Sequence, residues 1–184
     1  MGKFRMKWNS EKILGISAMS ISFITLIIFI YQTNLMSKQN YLSILPYLQV
    51  STSDNKAEHS YSINVLNYGV GPAIIEKATM RYNGKSYLLK DYNDDIFSFL
   101  QAIQPALDSV KIFSSATLNR GIAIPANATY NLLHVKNSGK DYDLLTQYLF
   151  ELEQAGLEYE IEYKSIQNEH WMITTTSDGP IKLD

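Results

Sequence analysis

The 184-residue chain has no cysteine. That excludes disulfides, thiolate metal ligands, a cysteine nucleophile and a lipid-modified N-terminal cysteine. It does not choose a compartment, because a cysteine-free chain suits a reducing cytosol and an oxidising exterior alike. Charge is missing over one long stretch: no Asp, Glu, Lys or Arg stands between Lys12 and Lys38. No run of Lys or Arg appears anywhere, and residues 41–184 carry 11 basic against 17 acidic residues. A balance of about −6 lacks the clustered cations that a nucleic-acid backbone demands, so long nucleic acid is not an expected partner. The chain also lacks a GxSxG elbow, a Walker loop, a GxGxxG fingerprint and any HxxxH or HExxH spacing. Internal repeats and low-complexity segments are absent too. Gly69-x-Gly71-Pro72 looks like a phosphate loop only superficially, since a strand and not a helix follows it.

What is present begins with Ile13–Tyr31, ILGISAMSISFITLIIFIY. Nineteen residues at about 1.5 Å each give roughly 28 Å of helix, close to the hydrocarbon thickness of a bilayer. A cleaved signal peptide would have a shorter apolar region and small residues at its cleavage site. Gln32-Thr33-Asn34-Leu35-Met36 offers no such pattern, which favours an uncleaved anchor. Trp8 and Tyr31 suit the two interfaces. Lys3, Arg5, Lys7 and Lys12 precede the span, and Lys38 alone follows it before Lys56. The positive-inside rule then favours a cytoplasmic N-terminus and a translocated C-terminal domain in a single-pass inner-membrane protein. Gly15, Ala18, Ser22 and Thr25 form one stripe of small residues. Such stripes let helices approach closely in lipid, although small residues are common in any membrane helix. The expected organisation is a basic tail over 1–12, a transmembrane helix over 13–31, a juxtamembrane linker over 32–44 and a β domain over 45–184. The linker either prolongs the membrane helix or leaves it briefly, and Pro46 stops any helix.

From there the hydrophobic period switches to two. Strands are expected over Tyr47–Ser53, His59–Tyr68, Ala73–Tyr82, Lys85–Lys90, Val110–Ala116, Ile122–Pro125, Thr129–Val135, Leu157–Ile166 and His170–Thr176. Asn67-Tyr68-Gly69-Val70-Gly71-Pro72 signals a turn in which glycines supply unusual φ. Asn83-Gly84 signals a type I′ hairpin. Helical spacing appears in Asn93–Leu107, with Asp94 and Asp95 in its first turn, and in Asp141–Gln154, with Gly156 as its stop. Glu158, Glu160 and Glu162 alternate with Tyr159, Ile161 and Tyr163, a charged outer face over an apolar inner one. The fold class is mainly β: an immunoglobulin-like β-sandwich with two inserted helices after one N-terminal transmembrane helix, with a partly open barrel as the alternative.

Candidate chemistry is sparse. His59, His134 and His170 are far apart and fit surface or edge positions better than a metal site. Asp91, Asp94 and Asp95 lack a calcium-loop spacing and fit the start of a helix. The Glu158/Glu160/Glu162 row fits a solvated strand face better than a pair of hydrolytic carboxylates. Asn127-Ala128-Thr129 matches a glycosylation sequon that chance explains as well. The 13 tyrosines suit either a β core or exposed binding anchors. No catalytic residue, metal or cofactor is expected.

One group of motifs resembles something known. Ser43-Ile44-Leu45-Pro46-Tyr47-Leu48 and Asn67-Tyr68-Gly69-Val70-Gly71-Pro72-Ala73-Ile74-Ile75 follow the apolar span. Together they are similar to a large set of uncharacterised bacterial single-pass membrane proteins, which share "S-x-x-P-x-L" and "N-x-G-x-G-P-A-x-I". Ile124-Pro125-Ala126-Asn127, Tyr163-Lys164-Ser165-Ile166 and Glu169-His170-Trp171 look like their later strands. The resemblance covers most of the chain, but its motifs are structural and no functional residue carries over. The expectation is a membrane-anchored, non-enzymatic binding module that forms a homo-oligomer through its membrane helix. The alternative is a signal-gated effector of antiviral defence. Its cytosolic domain would bind a small anionic ligand such as a cyclic oligonucleotide, with Lys77, Arg81 and Arg120 as contacts. A cell-envelope hydrolase is a third class.

Overall fold

The computed structural model describes residues 9–111 and 113–183. Lys3, Arg5, Lys7, Trp8, Ile112 of the expected fifth strand, and Asp184 lie outside the described residues. The chain divides after Leu42 into two units.

The first unit is helix α1, Ser10–Leu42, 33 residues with none buried. It is long and apolar enough to cross a membrane. At about 1.5 Å per residue it measures roughly 50 Å, so it outruns the apolar stretch. With no Gly or Pro between Gln32 and Leu42, nothing breaks it. Its hydroxyls bond to carbonyls one turn back, Ser17 to Leu14, Ser22 to Ala18, Thr25 to Ile21 and Thr33 to Phe29, at 2.8–2.9 Å. These four hydroxyls are thereby satisfied by their own helix, the pairing that a lipid environment would demand.

The second unit, residues 43–184, is mainly β. Its strands are β1 (Leu48–Asn55), β2 (Ser60–Asn67), β3 (Ala73–Tyr82), β4 (Lys85–Leu88), β5 (Phe113–Ser115), β6 (Ala123–Ile124), β7 (Thr129–Val135), β8 (Glu158–Lys164), β9 (His170–Thr174) and β10 (Ile181–Lys182). One sheet runs β1-β2-β7-β5; the other runs β10-β9-β8-β3-β4, with β6 also on β3. All pairings are antiparallel. Leu48, Val65 and Leu133 of the first sheet and Ile75, Ile161 and Tyr163 of the second belong to one buried cluster.

Local signals explain the boundaries. Asn83 and Gly84 both have positive φ, 50° and 72°, and Tyr82 faces Lys85, as a type I′ turn requires. Helix α2 is shorter than its spacing predicts, Ile96–Ile103. Asn93 and Asp94 are left-handed, and Asp95 caps the helix by accepting from the N–H groups of Phe97 and Ser98. Pro105 ends it, and a 3-10 turn over Pro105–Ser109 buries Leu107. Helix α3 starts two residues before its expected position, at Gly139, because Ser138 caps it through the Asp141 N–H; it runs to Gln154. It stops in a Schellman motif: Gly156 (φ 83°) donates to Glu153, and Leu157 donates to Leu152. Strand β10 was not expected.

The segment Asn67–Pro72 differs from the sequence reading in mechanism. It carries the chain from one sheet to the other, and neither Gly69 nor Gly71 is left-handed. Both are glycine because of close approach. A Cβ on Gly69 would strike the backbone of Leu45–Tyr47, and one on Gly71 would strike that of Ile44. At the centre sits Asn67, 1% exposed. Its Oδ1 accepts from the N–H groups of Tyr47 (3.1 Å) and Gly69 (3.0 Å). Its Nδ2 donates to the carbonyls of Gly71 (2.8 Å) and Ile124 (3.0 Å). The chain segments that start both sheets are therefore joined through one amide. Replacing Asn67 with Ala strands two N–H donors and two carbonyls, and should cost on the order of 3 kcal/mol. Thermal unfolding of the full chain in detergent should show a midpoint lower by about 10 °C, against an exposed control such as Asn131→Ala. An unchanged midpoint would remove Asn67 from this role.

Candidate functional site

The outer face of the second sheet is a ladder of ion pairs. Lys77 Nζ meets Glu162 Oε1 at 2.7 Å, and Arg81 Nη2 meets Glu160 Oε2 at 2.7 Å. Glu76 takes His170 Nδ1 at 2.6 Å and Lys164 Nζ at 3.6 Å. The register of β3 on β8 places Lys77 opposite Glu162 and Thr79 opposite Glu160. Such partly exposed pairs are each worth about 0–1 kcal/mol, so they fix register more than they stabilise. Lys77 and Arg81, two of the three cations singled out in the sequence, are thus held by strand carboxylates.

Beside this ladder is a pocket of about 390 Å³, lined by Lys77, Lys90 and Arg120 together with Glu76 and Asp94. It brings Lys77 and Arg120 together and leaves Arg81 out. Arg120 precedes Gly121, whose N–H bonds to the Ile75 carbonyl, while the Leu118 N–H bonds to the Asp94 carbonyl at 2.7 Å. Lys90 comes from the 3-10 turn Leu89–Tyr92. Sequence reasoning missed it, because nothing local in the chain connects Lys90 to Arg120. Among the described residues neither Lys90 nor Arg120 forms an ion pair.

A second concavity, about 270 Å³, lies inside the β unit. Val50, Ile63 and Leu132 line it from one sheet, Met80 and Ile161 from the other, and Leu100 from α2. Its exposed lining residues include Thr52, Glu153 and Thr175.

The tyrosines divide between the roles left open by the sequence. Tyr163 is fully buried, and its hydroxyl accepts from the Leu48 N–H across the two sheets at 3.4 Å. Burial pushes its phenol up. Tyr68 is 59% exposed. Tyr142 of α3 donates to Asp54 Oδ1 of β1 at 2.5 Å, and the His59 ring packs edge-on against it at 5.7 Å. That hydrogen bond is the main reason the Tyr142 phenol is pushed up to about 12. Tyr61 is also pushed up to about 12, first by burial and then by Glu153 and Asp54.

The remaining expected sites are placed as follows. His134 shares a hydrogen bond with Ser60, and Asp95 is a helix cap. Among the described residues, no group of three or more His, Cys, Asp or Glu side chains could hold a metal ion. Gly15, Ala18, Ser22 and Thr25 lie exposed along α1. Compared with known proteins, the chain matches no family model and no curated protein sequence.

The raised phenols set an alkaline limit. Tyr61 and Tyr142 stay neutral in the folded chain up to about pH 12, whereas an unfolded tyrosine ionises near 10. Their stabilising effect is complete below pH 10 and is lost as pH rises through 12. Thermal midpoints should therefore fall between pH 10 and 12, and less steeply in Tyr142→Phe than in the native chain. Identical slopes would contradict the Tyr142–Asp54 assignment.

Proposed function

We propose that the protein is a membrane-anchored, non-enzymatic binding module: an immunoglobulin-like β-sandwich carrying two helices, held by α1 in the cell inner membrane. In this reading α1 crosses once with its N-terminus in the cytoplasm, and the β domain lies outside and engages a protein partner or a small ligand. The observation that carries it is α1 itself, with no residue buried and uncharged across its middle, on a chain whose remainder is a separate β unit. Lys3, Arg5, Lys7 and Lys12 against Lys38 support the orientation. The motif shared with the bacterial membrane proteins it resembles supports placing it among them. Reporter enzymes fused to the C-terminus test the topology: the fusion active only outside the cytoplasm should work, and the cytoplasmic reporter should be silent. The reverse pattern, or a protein recovered wholly in the soluble fraction, would overturn the reading.

In the same reading the stripe Gly15, Ala18, Ser22 and Thr25 packs spans into a homo-oligomer. Ala18→Leu with Ser22→Leu should lower association of the isolated span in a membrane reporter assay several-fold. Unchanged association would remove the stripe as the interface.

One observation favours a second reading, the small-anion effector with a cytosolic domain: Lys77, Lys90 and Arg120 share a pocket. Nucleotides, cyclic oligonucleotides included, should then raise the thermal midpoint of the native chain and not of Arg120→Ala. No shift in either would leave the first reading alone.

A further inference from the structure

The cavity between the sheets is the feature that the packing least explains. Interiors are filled to crystal-like density, and voids larger than a water are few. An engineered apolar cavity of about 150 Å³ stays dry and binds benzene; this one is about 270 Å³ and is lined chiefly by aliphatic side chains. It reaches from the buried Leu100, Leu118 and Leu132 to the exposed Thr52 and Thr175. Glu153 of α3 also lines it, whereas the Glu158 side chain shares the outer strand face of Glu160 and Glu162. Among the described residues Glu153 is not paired with a cation. A guest must therefore be hydrocarbon at one end, and at the other bear a head that tolerates a carboxylate.

We propose that this cavity is a binding site for a single aliphatic chain with a neutral hydroxyl or a cationic amine head. The tail lies between the sheets against Leu100, Leu118 and Leu132, and the head lies beside Glu153, Thr52 and Thr175. A carboxylate or phosphate head is disfavoured by the same glutamate, since like charges at the mouth repel. The proposal rests on the binding-module reading and names the class of its ligand. It adjoins the Lys90/Arg120 pocket across Ala78 and Leu118, which line both, but the charge of that pocket suits the opposite head.

The test uses the full chain in lipid nanodiscs and three photoprobes: decylamine, decanol and decanoate, each with a diazirine at the end of the chain. Irradiation followed by peptide mapping should place decylamine and decanol adducts on the peptides holding Leu100, Leu118 and Leu132. Decanoate adducts there should be about tenfold fewer. Glu153→Gln should bring decanoate to within about twofold of decanol. Ala78→Leu fills the cavity and should abolish those adducts; Thr52→Trp, an exposed position that folding tolerates, should block the mouth and do the same. Adducts confined to α1, or cavity adducts that persist in Thr52→Trp, would overturn the proposal. Equal labelling by decanoate in the native chain would overturn the assignment of the head. A β domain that captures a protein partner yet shows no cavity adducts would leave the module and sink only this inference. A chain absent from membranes would instead sink the module.

Discussion

The β unit depends on one buried amide. Asn67 has the four hydrogen-bonding sites that a neutral amide can offer in one plane, and all four are used by backbone. Its partners come from chain segments far apart in sequence: Tyr47 before β1, Gly69 and Gly71 in the crossover, and Ile124 in β6. A buried amide with every site satisfied is rigid, whereas one left half-satisfied costs more than an apolar core would. Aspartate would lose both donors there, and leucine would strand four backbone groups. The two glycines follow from the same geometry. For one side chain to reach both segments, the crossover must lie directly on the backbone of Ile44–Tyr47, and there is no room for a Cβ.

Around this knot the two sheets use opposite devices on their two faces. Outside, β3 and β8 are held in register by Lys77–Glu162 and Arg81–Glu160, which are exposed and individually weak. Inside, the sheets share Leu48, Val65, Ile75, Ile161 and Tyr163, and Tyr163 crosses the gap to bond with Leu48. Between the ends of that shared core the sheets stand apart and leave the apolar cavity. Helices α2 and α3 close it with Leu100 and Leu149. Apart from the unpartnered Thr79 hydroxyl its inner lining is aliphatic, and so offers little to hold an ordered water, which needs two or more polar partners. The same separation that costs packing is what gives the domain an interior surface for a guest.

How much of this was legible in the sequence divides by the range of each interaction. Asn83-Gly84 and Gly156 announced a turn and a helix stop because the backbone φ they supply is local. The alternation in Glu158–Tyr163 announced two faces because it is a property of one strand. The end of α2 was misplaced by four residues, since Leu107 keeps the helical spacing while Pro105 breaks the helix. The short β10 gave no signal, because two residues after Gly179-Pro180 carry no period. Of the three cations singled out, Lys77 and Arg120 do meet at one pocket, yet Arg81 is turned to Glu160 and Lys90 takes its place. That exchange depends on the register of β3 against β8 and on the path of a loop. Asn67 was read as a turn residue. Period two from Tyr61 through Ile63 and Val65 reaches it and points it inward, which was the one available clue. Two of its four partners, Tyr47 and Ile124, come from segments twenty and more residues away.

The claim that this amide closes the domain is tested most directly by native-state hydrogen exchange of the full chain in detergent. The N–H groups of Tyr47 and Gly69 both donate to Asn67 Oδ1 and belong to no strand ladder. If Asn67 joins the two sheets, these two amides exchange only by global opening, at the same low rate as the central amides of β3 and β8. Exchange of Tyr47 and Gly69 at loop-like rates, while β3 and β8 stay protected, would contradict it.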